Sequence, residues 1–284
     1  MGLRSFFHKI KIGFARMNEH SIPYTSAAKK YGDGGEESLV LALQSRLQDS
    51  KIKKNIIVQT SEGNAEIDCL ILYKNKLFAI EIKRWKGQLW ERNGDFVQYK
   101  RDRWTGEIHT KIHKSPFKQL GRAVYLLRKQ IPDNAWINTI VFFEESDSIN
   151  IESDNIWFNN IDNLVEYIVN NGKLSWANNS NAFFEKCIAA DYLYCSSWGK
   201  SLHCTVCDDS LRFNTSAGVL DRSKILSISI SHHWSYDEIK ITTLDGNYHS
   251  INVENGSVYV INNGYRCRYA LCKLDYIRLG REFY

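Results

Sequence analysis

The sequence predicts an α/β half followed by a mostly antiparallel β half. Up to about residue 175, apolar residues at helical spacing alternate with strand-like apolar runs. Beyond that point only short β-like runs occur, separated by turn signals such as Asp245-Gly246 and Asn255-Gly256. The chain has 284 residues, 43% of them hydrophobic and 24% charged, enough for two globular units with real cores. The order divides into a basic leader over 1–30, an α/β domain over 31–175 and a β-rich domain over 176–284 that would bind a partner or target.

Residues 1–30 read as one short basic helix and a loop, and Gly32-Asp33-Gly34-Gly35 breaks the chain. From Glu36 to Leu47, apolar Leu39, Val40, Leu43 and Leu47 mark a helix face. Ile56–Val58, Ile67–Tyr73 and Leu77–Ile82 read as strands, and 86–115 as an irregular or hairpin excursion. Pro116 can open a helix that runs to Gln130 with Leu120, Val124 and Leu127 inward. Ile137–Phe143 is a strongly apolar strand; Asn155–Phe158 is another, and Asp162 caps a helix through Val169. Strands follow at Leu202–Val206, Leu211–Phe213, Ile225–Ser231, Glu238–Leu244, Tyr248–Val253 and Ser257–Ile261, then a closing helix over Tyr269–Arg281.

Several classes fall away. Three prolines exclude a long Pro-rich linker, and no apolar run approaches the roughly 20 residues of a membrane span. The N-terminus lacks the apolar core and cleavage site of a secretory signal. Seven cysteines, an odd number, with Cys69 inside an apolar run, read as reduced thiols in a cytoplasm. Net charge is +5, unevenly spread: Lys83 to Lys129 holds 13 Lys/Arg against 4 Asp/Glu, a local net of +9. Such a block suits a polyanion-facing surface, although charge runs are most often solvated loops.

The block directly follows the segment that carries chemistry. Between Glu66 and Lys83, two apolar strands flank Lys74-Asn75-Lys76. A tight turn on Lys74-Asn75 sets Leu72 opposite Leu77, Leu70 opposite Ala79 and Asp68 opposite Glu81, with Lys83 on the same face. Leu70, Leu72, Leu77 and Ala79 line that face; Ile67, Cys69, Ile71, Phe78, Ile80 and Ile82 line the other. A Glu-x-Lys on a strand is often a solvent-facing pair. A sheet apolar on both faces, however, should not bury Asp68, Glu81 and Lys83 without a reason. Two close carboxylates repel, and a Mg²⁺ or Mn²⁺ ion held by Asp68 and Glu81 would relieve the repulsion. With Lys83 beside it, the set suits phosphodiester hydrolysis.

Gly35-Glu36 before a helix, Glu66-Ile-Asp68, Phe78-Ala-Ile-Glu-Ile-Lys83-Arg-Trp and Ser115-Pro-Phe-Lys-Gln119 together resemble the nuclease-related domain, the NERD family of the PD-(D/E)xK nuclease superfamily. The resemblance covers about residues 30–145. It implies a restriction-endonuclease-like mixed sheet flanked by helices, with Asp68 and Glu81 as metal ligands and Lys83 as catalytic lysine. It also implies that Glu36, with Glu37 as competitor, and Gln119 reach the site from two helices. Glu66, Cys69 and Asp33 stand where the family usually has Gln, His and Glu. The implied activity is a metal-dependent nuclease, on DNA by resemblance, serving DNA processing or defence against foreign DNA. The alternative is a non-catalytic nucleic-acid-binding or sensing protein on the same fold.

Arg84, Lys86, Lys100, Arg101, Arg103, Lys114, Lys118 and Arg122 are the candidate phosphate contacts, with Trp85, Trp90 and Trp104 interleaved for stacking or for packing. In the second half, Cys204-x-x-Cys207 beside His203 invites zinc, but one tight pair fits buried core thiols better. Lys224–Ile230 and Ile239–Gly246 look somewhat like a pleckstrin-homology-type or other small barrel, a module that would bind a protein partner, a second copy of the chain, a lipid or nucleic acid instead of catalysing. The leader, with Phe6, Phe7, Ile10 and Phe14 among basic residues, could lie on an anionic membrane surface, though packing on its own domain is the commoner fate. His232-His233 reads as surface.

Overall fold

A computed structural model describes residues 27–102, 104–133, 135–172, 179–195, 200–215, 218–233, 236–254, 256–280 and 282–283. Arg103 and the leader up to residue 26 lie outside these, and with them the membrane-surface expectation for the leader. Two compact units form, one over Ala27–Ala189 joined by the chain's last residues, the other over Ala190–Gly280. The division thus falls later than 175, because helix α4 (Ser180–Lys186) buries Phe183 and Phe184 in the core of the first unit. No described helix is long and apolar enough to cross a membrane.

The first unit is built on a six-stranded mixed sheet, ordered β20-β1-β2-β3-β7-β9. Strands β1 (Ser50–Thr60), β2 (Gly63–Tyr73) and β3 (Lys76–Lys83) form an antiparallel meander. Strands β7 (Ile137–Phe143) and β9 (Trp157–Phe158) then add in parallel, and β20 (Glu282–Phe283) pairs with β1. Helices α1 (Ala27–Arg46) and α3 (Ile161–Gly172) cover one face with Leu39, Val40, Leu43, Leu164 and Ile168. Helix α2 (Pro116–Gln130) covers the other with Leu120, Val124 and Leu127, joined by α4. Burial on both sides explains the near-continuous apolar β2 and β3.

Two expectations need correction here, and a third is settled between its two options. Helix α1 runs through Gly32–Gly35 instead of starting after them, so the glycines do not break it; packing of its C-terminal half outweighs their poor propensity. The α3 cap is Asn160, whose Oδ1 accepts from Asp162 N at 2.8 Å and Asn163 N at 3.3 Å. Asp162 sits in the first turn and pairs with Arg46 instead. The excursion after Lys83 takes the hairpin option: β4 (Gly87–Arg92), β5 (Asp95–Arg101) and β6 (Ile108–Lys114) form consecutive antiparallel hairpins, with β8 (Ser146–Asn150) in parallel on β4. Its Leu89 and Phe96 meet Val141 and Phe143 in an aromatic cluster.

The second unit holds an eight-stranded antiparallel sheet around one core that includes Leu193, Cys204, Ile228, Ile241, Val260 and Ile277. The closing helix over Tyr269–Arg281 does not form. That stretch completes β18 (Tyr265–Ala270), makes one 3₁₀ turn and becomes β19 (Tyr276–Arg278), wedged between β10 (Asp191–Cys195) and β14 (Ile225–His232). A short apolar run fits either period, and pairing on both sides of Ile277 decides for the strand. Cys204 is buried, which pushes its thiol up. His232 is exposed, as expected, and is held there by carboxylates: Nδ1 meets Asp237 Oδ1 at 2.9 Å and Nε2 meets Asp275 Oδ1 at 3.2 Å.

Candidate active site

The β2–β3 hairpin carries the site, and its register is the one expected. Leu72 pairs with Leu77, Leu70 with Ala79 and Cys69 with Ile80. Lys74 and Asn75 take φ of 46° and 65°, the left-handed pair of a tight hairpin turn.

The ladder then ends, one step before Asp68 would meet Glu81. The β1–β2 ladder lapses at the same level, between Lys54–Cys69 and Ile56–Ile67, where Asn55 has φ 53°. Faces switch there. Cys69 and Ile71 pack under α1 and α3, whereas Ile67, two residues before Cys69, packs with Leu70 and Leu72 under α2. The expectation that Ile67 shares a face with Cys69 is therefore wrong; the left-handed Asn55 resets the alternation. Asp68 lies at the switch, half-buried, and its Oδ2 accepts the Ile82 N–H at 2.7 Å. A side-chain carboxylate thus closes the gap where two strands part.

Glu81 is fully buried on β3. Its Oε1 accepts a very short hydrogen bond from Lys83 Nζ, and its Oε2 has no hydrogen-bond partner. An unsatisfied buried carboxylate oxygen is costly and calls for an explanation. Burial pushes the Glu81 carboxyl up, against the pull of Lys83. Asp68 is held well above the ordinary carboxylate range by burial, then by the charges of Glu81 and Glu36. Burial alone would lower Lys83, but Glu81, Asp68 and Glu36 outweigh it and hold the amine above its usual value.

Glu36 of α1 therefore acts electrostatically on both Asp68 and Lys83 and is half-buried, whereas Glu37 is exposed. Gln119 is exposed on α2, and its amide makes no hydrogen bond to these residues. The structure thus brings together Asp68, Glu81, Lys83 and Glu36, and leaves Gln119 outside their contacts.

The basic candidates separate as well. Arg84 pairs with Glu144 at 2.8 Å and with Glu145, and Lys86 pairs with Glu145 at 3.2 Å. Arg122 donates to Glu62 O at 3.0 Å. Arg84 and Lys86 thus meet acidic neighbours far off in sequence, and Arg122 a backbone carbonyl. Lys100, Arg101, Lys114 and Lys118 are exposed.

One neighbour went unnoticed in the sequence. His113 of β6 stacks on Trp85, with ring centroids 4.1 Å apart, and its Nε2 meets Gln98 Oε1 at 2.9 Å. Burial, then the charges of Lys111 and Lys83, push its imidazole down to about 4. No sequence signal marked it: the apolar residues of that strand, Ile108 and Ile112, lie on its exposed face. Trp85 itself packs in the aromatic cluster and is no stacking platform.

Residues 31–144 match the family model of the nuclease-related domain, NERD. That segment runs from α1 to the residue after β7, so it spans the whole hairpin and all four clustered residues. No curated protein and no solved structure gives a significant match. The match covers 114 of the 284 residues, all within the first unit, and is to a nuclease-related domain.

The NERD segment can be tested for a cation on its own chemistry. Among the described residues, no group of three or more His, Cys, Asp and Glu is arranged to hold a metal. A magnesium-type ion, however, takes oxygen donors and is satisfied by one or two carboxylates completed by water and substrate phosphate. The orphaned Glu81 Oε2 and the neighbouring Asp68 carboxylate fit that donor set.

Proposed function

We propose that the NERD domain is a Mg²⁺- or Mn²⁺-dependent nuclease acting on DNA, with Asp68 and Glu81 holding the ion. The observation that carries this reading is Glu81 Oε2, buried without a hydrogen-bond partner beside a second raised carboxylate. When bound, the ion would polarise the phosphodiester and lower the pKa of the attacking water. The chain's own residues supply the rest. Asp68 is oriented through Ile82 N, and Lys83 stays protonated, an ammonium placed to offset charge developing on the phosphate. Glu36 adds negative charge that keeps Lys83 protonated. A role in DNA processing or in defence against foreign DNA is consistent with such an activity.

The test is cleavage of plasmid and single-stranded DNA in Mg²⁺, Mn²⁺ or EDTA by the wild type, Glu81→Ala and Lys83→Ala. We expect metal-dependent cleavage that both substitutions abolish. DNA binding without cleavage under every metal condition would favour the second reading, a non-catalytic sensor. The short Lys83–Glu81 ion pair, which occupies one of the two Glu81 oxygens, is the observation behind that second reading.

A further inference from the structure

The β6-β5-β4-β8 sheet has two unlike faces. Leu89 and Phe96 turn into the aromatic cluster. Strand alternation and register place Trp90 and Ile112 in one row of the opposite face, both flanking Val97. Tyr99 stands in the next row, and Ile108 pairs with Arg101 in the row beyond. Trp90 is 38% exposed, Ile108 63% and Ile112 71%. At the hairpin tip Trp104 is 96% exposed, its turn held by Asp102 Oδ1, which accepts from Trp104 N at 2.8 Å and Thr105 N at 2.9 Å.

A contiguous patch of this kind marks a binding surface, since water opposes it and it stands exposed among the described residues. Its chemistry narrows the partner. Arg92 lies over the Trp90 ring, 5.9 Å from the centroid, and Arg101 stands at the other end of the patch. Among the described residues of β4, β5 and β6, Asp95 is the one acid that the register places on this face. Aromatic rings bracketed by cations match a ligand with flat π-faces and regularly spaced negative charge. Duplex nucleic acid hides its base faces in the stack, whereas a single strand offers them.

We propose that this outer sheet face binds single-stranded nucleic acid, Trp90 and Tyr99 stacking bases while Arg92 and Arg101 hold phosphates. The assignment deepens the nuclease reading by naming the strand form that the same domain engages. Ile108 and Ile112 supply apolar contact beside the stacked bases, and Trp104 extends the platform at its tip.

The experiment uses the full chain carrying Glu81→Ala, in EDTA, with a fluorescent 20-nucleotide oligothymidylate and a duplex of equal length, read by anisotropy at several salt concentrations. Tighter binding of the single strand is expected. Trp90→Ala or Tyr99→Ala should weaken it by roughly fivefold to a hundredfold, in line with about 1–3 kcal/mol per stacked base, while Trp90→Phe retains most of the affinity. Arg92→Gln with Arg101→Gln should flatten the salt dependence. Unchanged affinity in both aromatic variants, or a preference for duplex, would overturn the proposal. So would a concentration-dependent dimer that Trp90→Ala and Ile112→Ser dissociate, because the face would then belong to a second copy. The two readings fail separately. Binding through this face without wild-type cleavage sinks the nuclease, and metal-dependent cleavage with intact binding in the face variants sinks the platform.

Discussion

Asp68 shows how one residue can hold a hairpin together and burden it. Its Oδ2 replaces a missing ladder contact at Ile82 N, yet its carboxyl is pushed up by burial and by Glu81 and Glu36. A carboxyl whose folded pKa exceeds its unfolded value stabilises most at low pH, and that contribution is lost as pH rises through the folded value. At neutral pH without metal, Asp68→Asn should therefore raise the melting temperature by a few degrees, on the scale of ~1 kcal/mol. Adding Mg²⁺ or Mn²⁺ should stabilise the wild type more than this variant; equal thermal shifts would remove Asp68 from the metal site. His232 carries the same arithmetic for a base. Its hydrogen bond to Asp237, supported by Asp275, raises it above 6.5. The stabilisation is complete below that value and lost as pH rises through the raised one. Amide exchange in β14 and β19 should accelerate as pH increases above 6.5 beyond the intrinsic rate, and His232→Gln should abolish that excess.

At the scale of elements, the β2–β3 turn fixes the site's register. Lys74 occupies the left-handed region, which costs an ordinary L-residue roughly 1–2 kcal/mol and asparagine less. Lys74→Asn loses the amine over the Tyr73 ring, 5.2 Å from its centroid, but should still gain about 0.5 kcal/mol in urea unfolding. A loss would mean that the cation–π contact outweighs the strain. Helix α2 is the other determinant. Ser115 caps it and Pro116 opens it, so its apolar stripe meets the sheet where Leu70 and Ala79 lie. Leu127→Ala, at a site with no exposed surface, should cost about 2–5 kcal/mol by the same measurement.

At the scale of the whole chain, each unit is closed by residues remote in sequence. Asp191 opens the second unit and accepts from Gly280 N at 2.8 Å at its end, from Val206 N at 2.6 Å and from two Arg222 contacts at 2.7 and 2.9 Å. Asp191→Ala would leave Arg222 and two N–H groups without that acceptor. It should destabilise this unit by about 3–5 kcal/mol, seen as early exchange of amides in β10 and in the neighbouring strand Lys200–Val206. The first unit recovers the chain's last strand, whose Phe283 pairs with Ile52.

Local chemistry was enough to determine much of this. A period-3.6 pattern marks α2, which buries one stripe, and near-continuous apolar runs mark β3 and β7, which are covered on both faces; the Lys74-Asn75 turn fixes the register from Tyr73 to Cys69. Asp68, Glu81 and Lys83 stood out because charge in a strand buried on both faces needs a cause. What only the tertiary structure decided depends on residues far apart in sequence. Glu145 pairs with Arg84 and Lys86 within the basic block, and β10 with β14 makes a strand of Tyr276–Arg278. Asn55 turns the sheet so that Asp68 meets Ile82 instead of lying across from Glu81. Each of these is a choice between locally equivalent options, settled by a neighbour that sequence spacing does not reveal.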